Sequence, residues 1–300
     1  MCEKKNNDEK DLTIIKEIYQ EIYCKFKEQY IVVFLCGGAS STRYKSLRDR
    51  VRKLLENNVK PNFYKTYKVF YPEDLLIEVL NKTKDADLLS YEQFLANNSH
   101  VLVIICESAG SLVELGAFTN NKYTVDKVIA AVDKRHIRDK SFIMLGPIKL
   151  LKKRNKINVL SYGQNEQEFV KKLSSVINEK YKLNYQENNM INLTTIVGMH
   201  YFIQLLLYFF RSLNSNELAN KIKQILEEYC INIDDFNVLF SAALKLLFQD
   251  KKIIKMTSDQ YSLYKLTNYG FESIQSMIVR CTKTGLCDRI RFELMYNELY

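Results

Sequence analysis

Val101-Leu102-Val103-Ile104-Ile105-Cys106-Glu107-Ser108-Ala109-Gly110-Ser111-Leu112-Val113-Glu114-Leu115-Gly116-Ala117-Phe118 is the stretch whose reading decides the fold. Its unbroken apolar run, closed by a polar turn, reads as a strand buried on both faces, as in a parallel sheet. From Leu112 to Thr119 the pattern turns helical, so the strand feeds a turn and then a helix. Glu114 is expected in that helix's first turn, at the mouth of the sheet. There the helix amino end favours the ionised carboxylate that a nucleophile attacking a sugar carbon must be. Gly110 is expected to let backbone N–H groups approach a ligand oxygen, and Gly116 to let the helix pack closely on the sheet. Position alone leaves a plainer reading open, a surface glutamate matched to the helix dipole.

Working outward, Ile31-Val32-Val33-Phe34-Leu35-Cys36 ends at Gly37-Gly38, and Tyr67-Lys68-Val69-Phe70-Tyr71 is stopped by Pro72. Residues 128–132 and 157–160 are further apolar runs, and helical patterns fill 47–55, 74–80, 91–97, 112–119 and 166–181. Strand and helix alternating in this way predict an α/β fold with a doubly wound, Rossmann-like parallel sheet, whose sites lie at the strands' carboxyl ends. A helix over residues 11–30 precedes the first strand and is expected to pack against the sheet or a partner subunit.

The Asn-rich stretch 183–192 ends the alternation and marks a boundary between a domain over 1–185 and a second over 191–300. The second reads as helices at 194–212, 215–228 and 234–249, then strands at 252–256 and 261–266 flanking a turn. That is the outline of a winged helix, closed by a last helix over 271–282.

Composition bounds the function. With 47% hydrophobic and 26% charged residues, the chain builds cores rather than a disordered tail. No apolar run reaches the roughly 18 residues of a membrane span, since residues 199–210 are short and interrupted by His200 and Gln204. The charged N-terminus lacks a secretory pattern, so a cytoplasmic location is expected. Seven cysteines without a CxxC pair, and histidines at 100, 136 and 200 without ligand spacing, predict neither disulfides nor a metal site. Cys36 and Cys106 end strands near the expected site, but nothing flanking them marks a catalytic thiol. The net charge is +9, and residues 191–300 hold 12 Lys and Arg against 11 Asp and Glu, so the excess lies before them. It concentrates around Lys134, Arg135, Arg138 and Lys140, and around Lys149, Lys152, Lys153, Arg154 and Lys156.

Taken together, Phe34 to Gly38, Tyr71-Pro72-Glu73-Asp74-Leu75, Glu107 to Ser111 and Glu114 to Phe118 resemble the nucleoside deoxyribosyltransferase family. With Ser141-Phe142 and Gly146-Pro147-Ile148-Lys149-Leu150-Leu151, the chain is most similar to the deoxyribosyltransferase-like effectors of bacterial retrons, whose winged-helix half also fits. The resemblance runs from about Ile31 to Leu160. It implies that Glu114 is the nucleophile of a covalent glycosyl-enzyme intermediate. Gly37 and Gly38 would lie beside the base, and Tyr71, Asp74, Ser108 and Gly110 would contact substrate. Where the transferases carry an Asp six residues before the Glu, this chain has Ser108. Where they carry an acid ahead of the next strand, it has His100. Those acids assist proton transfer to the leaving base. Their replacement favours a leaving group that is already cationic, such as the nicotinamide of NAD.

The expectation is therefore an N-glycosidase toxin of anti-phage defence, with NAD as substrate and no other cofactor. By the same resemblance it is held by a reverse transcriptase and its multicopy DNA–RNA product, as an oligomer within the complex. Lys149, Lys152, Lys153, Arg154, Lys251 and Lys252 are its expected nucleic-acid or partner contacts, and residues 234–249 the recognition helix. The alternatives are a true nucleoside deoxyribosyltransferase, a glycosidase of other nucleotides, and a non-catalytic nucleotide- or DNA-binding scaffold.

Overall fold

The computed structural model describes residues 2–42, 44–57, 66–71, 94, 98–185, 190–233, 235–257 and 262–299, with backbone alone at 2–9, 284, 298 and 299. They divide into two compact units, residues 29–189 and residues 1–28 together with 190–300. None of the described helices is long and apolar enough to cross a membrane.

After an N-terminal helix, α1 (Cys2–Glu17), the chain enters the α/β unit. Its strands are β1 (Tyr30–Cys36), β2 (Thr66–Phe70), β3 (Val101–Ile105), β4 (Val128–Asp133) and β5 (Val159–Tyr162). Its helices are α2 (Leu47–Asn57), α3 (Ala109–Asn120), α4 (Lys149–Arg154) and α5 (Glu166–Asn184). The strands are all parallel in the order β2-β1-β3-β4-β5, a doubly wound sheet as the alternation predicts. Every residue of β3 is buried, because helices cover both faces. Val33, Leu35, Val103 and Ile105 pack with Val51 and Leu55 of α2 and with Leu173 and Ile177 of α5. Toward the opposite face, Phe34 of β1 meets Phe118 of α3 edge-on, with ring centroids 6.1 Å apart.

Two boundaries differ from the sequence reading. Strand β5 starts at Val159 rather than 157, because residues Lys156–Asn158 form a 3-10 turn. Helix α3 starts at Ala109 rather than 112, because Ser108 caps it, and this moves Glu114 from the first turn into the second. The helices expected at 74–80 and 91–97 lie outside the described residues, apart from Phe94.

The second unit contains α6 (Ile196–Phe210), β6 (Ser212–Asn214), α7 (Ser215–Glu228), α8 (Phe236–Gln249), β7 (Ile253–Thr257), β8 (Ser262–Leu266), α9 (Asn268–Cys281) and α10 (Thr284–Leu299). The strands pair antiparallel in the order β6-β8-β7. Helix, strand, two helices and a hairpin make the winged-helix arrangement, in which β6 takes the last residue of the helix read over 194–212 and the two residues after it. Arg211, at φ 63°, ends that helix at Phe210, two residues earlier than expected.

Helix α1 belongs to this unit, which corrects the expectation that it packs on the sheet. Its buried Ile14 and Ile15, with Ile18 and Ile22 of the π-helical turn that follows, supply core. Tyr19 and Tyr23 lie edge-on to Phe202 of α6 at 5.7 and 5.1 Å. Lys16 and Asp11 form 2.6 Å ion pairs with Glu228 and Lys221. Gly198 admits a close approach of backbone, since a Cβ there would lie 1.7 Å from the Asn192 carbonyl oxygen.

Candidate active site

In a doubly wound sheet the ligand crevice lies where the strand order reverses, here between β1 and β3. Glu107, two residues beyond β3, spans that point. Its Oε1 accepts hydrogen bonds from Gly38 N at 3.0 Å and Arg48 N at 3.2 Å, and its Oε2 accepts from Leu47 N at 3.2 Å. One carboxylate thus fixes both the turn after β1 and the amino end of α2. Gly37 and Gly38 are needed for its approach: a Cβ on Gly37 would lie 2.9 Å from Arg48 Cβ and 3.1 Å from Glu107 Oε1.

Beside this tie, the carboxyl ends of β3, β4 and β5 open into a cleft of about 930 Å³, within the size range of small-molecule sites. Gly38, Glu107, Ser108, Leu112, Asp133 and Tyr162 are among its walls. Apart from Glu107, held by backbone amides, the charged and ionisable side chains of its wall lie in pairs. Arg135 grips Asp133 through Nε at 3.1 Å and Nη2 at 2.7 Å, Arg50 meets Glu166 at 2.7 Å, and His136 Nδ1 lies 2.8 Å from Asp139. The Arg135 side-chain and backbone donors hold Asp133 down to about 2. Burial, reinforced by the Asp133 charge, pushes Tyr162 up to about 12, and burial raises Cys106 to about 12, so both stay protonated at neutral pH.

The structure distributes the expected site residues unevenly. Gly38 and Ser108 line the cleft, and Gly37 and Gly110 flank them in the chain. The Ser108 hydroxyl is engaged in a capping box, accepting from Ser111 N at 3.2 Å while Ser111 Oγ accepts from Ser108 N at 3.1 Å. Leu112 faces the cleft. Glu114, two positions on and so about 200° round the helix, projects from the other flank of α3 and is not among the described residues of the wall. Glu114 is partly exposed, with Oε2 buried. The Arg48 and Arg52 guanidinium groups both lie over the Tyr71 ring, at 4.3 and 4.4 Å from its centroid. Burial and a hydrogen bond to Asp49 raise its hydroxyl. Asp74 lies outside the described residues. Gly116 does not serve close packing, because a Cβ there would meet nothing within 4 Å.

His100 stands at the amino end of β3, the far end from the cleft, and its Nδ1 accepts from Val32 N at 2.9 Å. Its place in the sequence therefore says nothing about proton transfer at the site. Glu107, Asp133 and Arg135 were not singled out as site residues. The signal available was the one that marked Ser108, a polar residue just past a buried strand.

Of the basic contacts, Lys149, Lys152, Lys153 and Arg154 are exposed on α4, with Arg154 paired to Asp126 at 2.7 Å. Lys251 is exposed, but Lys252 is 2% exposed, its Nζ 3.4 Å from Gln204 Oε1. Lys252 is thus part of the core rather than of a contact surface. Its carbon stem and amine fill a space bordered by the Tyr201 ring at 5.6 Å.

These features define a doubly wound α/β unit with a cleft at the carboxyl ends of its strands, joined to a winged-helix unit. The family model of the STM3845 retron effector protein matches residues 44–255, through both units, and the chain belongs to that family. Over 310 residues it is 28% identical to the "Retron Ec86 putative ribosyltransferase/DNA-binding protein" of Escherichia coli, covering 98% of this chain and 94% of that one. Over 122 residues it is 31% identical to the "Retron Ec73 putative ribosyltransferase/DNA-binding protein" of the same organism, covering 40% and 37%.

Proposed function

We propose that this retron effector cleaves the N-glycosidic bond of a nucleotide, NAD foremost, with Glu114 as nucleophile. The observation that carries the reading is a partly exposed carboxylate with one oxygen buried, Glu114, on the helix that directly follows the central strand β3; it lies on the flank of α3 away from Leu112, so the sugar is read as meeting α3 on that flank rather than inside the described cleft. The ribosyltransferase in the relatives' names points to the same class of bond.

In the first step the Glu114 carboxylate attacks C1′ and forms a glycosyl ester, while the base departs with the electron pair of the broken C–N bond. Water then attacks C1′, loses a proton to solvent, and releases the sugar with retained configuration and the carboxylate free. Ser108, standing where the transferases carry an acid, accepts the Ser111 N–H and points its own O–H at Ser111 Oγ, and an aliphatic hydroxyl is too weak an acid to give a leaving base a proton. A cationic nicotinamide needs none, which supports NAD over free purine nucleosides. Family membership supports the setting: a cytoplasmic toxin of anti-phage defence, held inactive by the reverse transcriptase and its DNA–RNA product until infection.

Incubation with NAD and a panel of nucleosides and nucleotides, followed by chromatography, tests the reading. Wild type is expected to release nicotinamide, and Glu114→Gln to lower the rate by roughly 10³-fold or more while remaining folded. Release undiminished in Glu114→Gln removes the nucleophile from the scheme. Silence of the isolated chain is followed by the same assay with the reverse transcriptase and its DNA present.

A second function for the winged-helix unit, DNA contact, is favoured by one observation. Asn237, Ser241, Lys245 and Gln249 recur every four residues along α8 and form its solvent-facing stripe. Lys251, Lys255 and Lys265 are exposed nearby in sequence. Such side chains read base edges and phosphates.

A further inference from the structure

We propose that Glu107 is a positioning residue that fills, from within the chain, the seat an anion takes at the switch point of sheets of this kind. In open α/β folds the amino end of the helix after the first strand offers free backbone amides to a ligand phosphate. Here every one of those amides is accounted for. Leu47 N–H and Arg48 N–H donate to the Glu107 carboxylate, Asp49 N–H donates to Ser46 Oγ at 3.2 Å, and Arg50 N–H donates to the Ser46 carbonyl at 3.4 Å. The Gly38 amide, the further donor of the turn, is also taken by Glu107.

The glycines confirm the fit, because their missing Cβ atoms make room for this side chain: a Cβ on Gly38 would lie 3.3 Å from Glu107 Cγ. The carboxylate arrives from the β3 side and closes on α2, so the turn and the amino end of α2 are held together by the chain itself. The cations of the adjacent cleft are engaged as well, Arg50 with Glu166 and Arg135 with Asp133. The group of a substrate that rests over Gly37-Gly38 is therefore uncharged, a sugar or a base, and a nucleotide's phosphates are held elsewhere.

The experiment reads stability, so its failure is distinguishable from failure of the glycosidase reading. Full-length wild type, Glu107→Ala and Glu107→Gln are melted in chloride, formate and inorganic phosphate at matched ionic strength. Glu107→Ala empties the seat; its melting temperature is expected to fall by several degrees and to be raised, saturably, by formate or phosphate. Wild type and Glu107→Gln, whose seats remain filled, are expected to show no such anion response. If base release is detectable, formate should also restore the KM of Glu107→Ala with little change in kcat.

Equal anion responses in all three proteins, or none in Glu107→Ala, overturn the proposal. Should Glu107→Ala be recovered unfolded, it is refolded with formate or chloride. Native circular dichroism with formate alone supports the seat, and recovery in neither or in both equally overturns it.

Discussion

At the carboxyl ends of the parallel strands, Glu107, Asp133 and Tyr162 border an open cleft. At the amino ends, His100, Lys127 and Lys180 are closed in by backbone and rings. His100 continues the β1–β3 ladder, donating its N–H to the Val32 carbonyl and accepting from Val32 N, both at 2.9 Å. Tyr181 and Tyr185 flank it edge-on at 5.1 and 4.7 Å. Lys180 donates to the Asp126 carbonyl at 2.5 Å and to Asn158 Oδ1 at 2.7 Å. Residues 100 and 107 are separated by one strand, roughly 20 Å of extended chain. Polar side chains at one end can meet a ligand, while those at the other complete the sheet's own hydrogen bonding, so the same residue types serve chemistry above and stability below.

Substitutions that separate folding from activity can break this contrast. The largest effect on stability is expected from His100→Ala, which leaves Val32 N–H without its acceptor and empties the space against the stacked Tyr181–Tyr185 pair. A loss of about 3 kcal/mol in urea unfolding is expected, with base release per folded molecule unchanged. A loss under about 1 kcal/mol, or a drop in catalysis, would place His100 with the cleft residues.

Lys180 comes next. Burial lowers it to about 8 from 10.5, so the folded protein releases its proton while the unfolded chain keeps it. Stability therefore rises between pH 8 and 10.5 by on the order of 2 kcal/mol from this group. Lys180→Met should flatten that part of the wild-type curve, and an unaltered curve would contradict the burial argument.

The smallest stability effect is expected at the cleft. Arg135 is exposed and its pair with Asp133 is screened by solvent, so Arg135→Gln should lower stability at neutral pH by less than either of the other two substitutions. Because Asp133 is depressed, the ion pair's contribution is present above about pH 3.8 and fades as pH falls through about 2, where the two proteins should become equally stable.

Much of the architecture was legible because buried strands announce themselves as apolar runs: β1 and β3 lie within a residue of their expected limits. The short β6 was not, since Ser212-Leu213-Asn214 follows an apolar helix without a break that composition reveals; only the left-handed Arg211 makes the corner. The start of α3 was misplaced for a similar reason. Ala109 and Gly110 look like a turn, but the reciprocal Ser108–Ser111 cap winds them into the helix. Sequence order pointed to Glu114 and to the Gly37-Gly38 turn. It did not show that Glu107 would reach three amides from more than fifty residues away, because nothing local records a contact made across strands. The buried Lys252 looked like surface for the same reason: its neighbours Gln204 and Tyr201 lie on another helix.

Residues 1–28 share a compact unit with residues 190–300, which makes the α/β unit an insertion between two parts of its neighbour. The ribosome therefore delivers the isoleucine- and tyrosine-rich first segment long before its partners exist. At about 5–20 residues per second, the 161 intervening residues take roughly ten to thirty seconds to make. During that interval the α/β unit can complete its sheet, while Ile14, Ile15, Ile18 and Ile22 still await α6. A nascent chain stopped before residue 190 would carry the whole cleft and an uncovered greasy leader, so messages truncated there should yield protein that chaperones and proteases seize first.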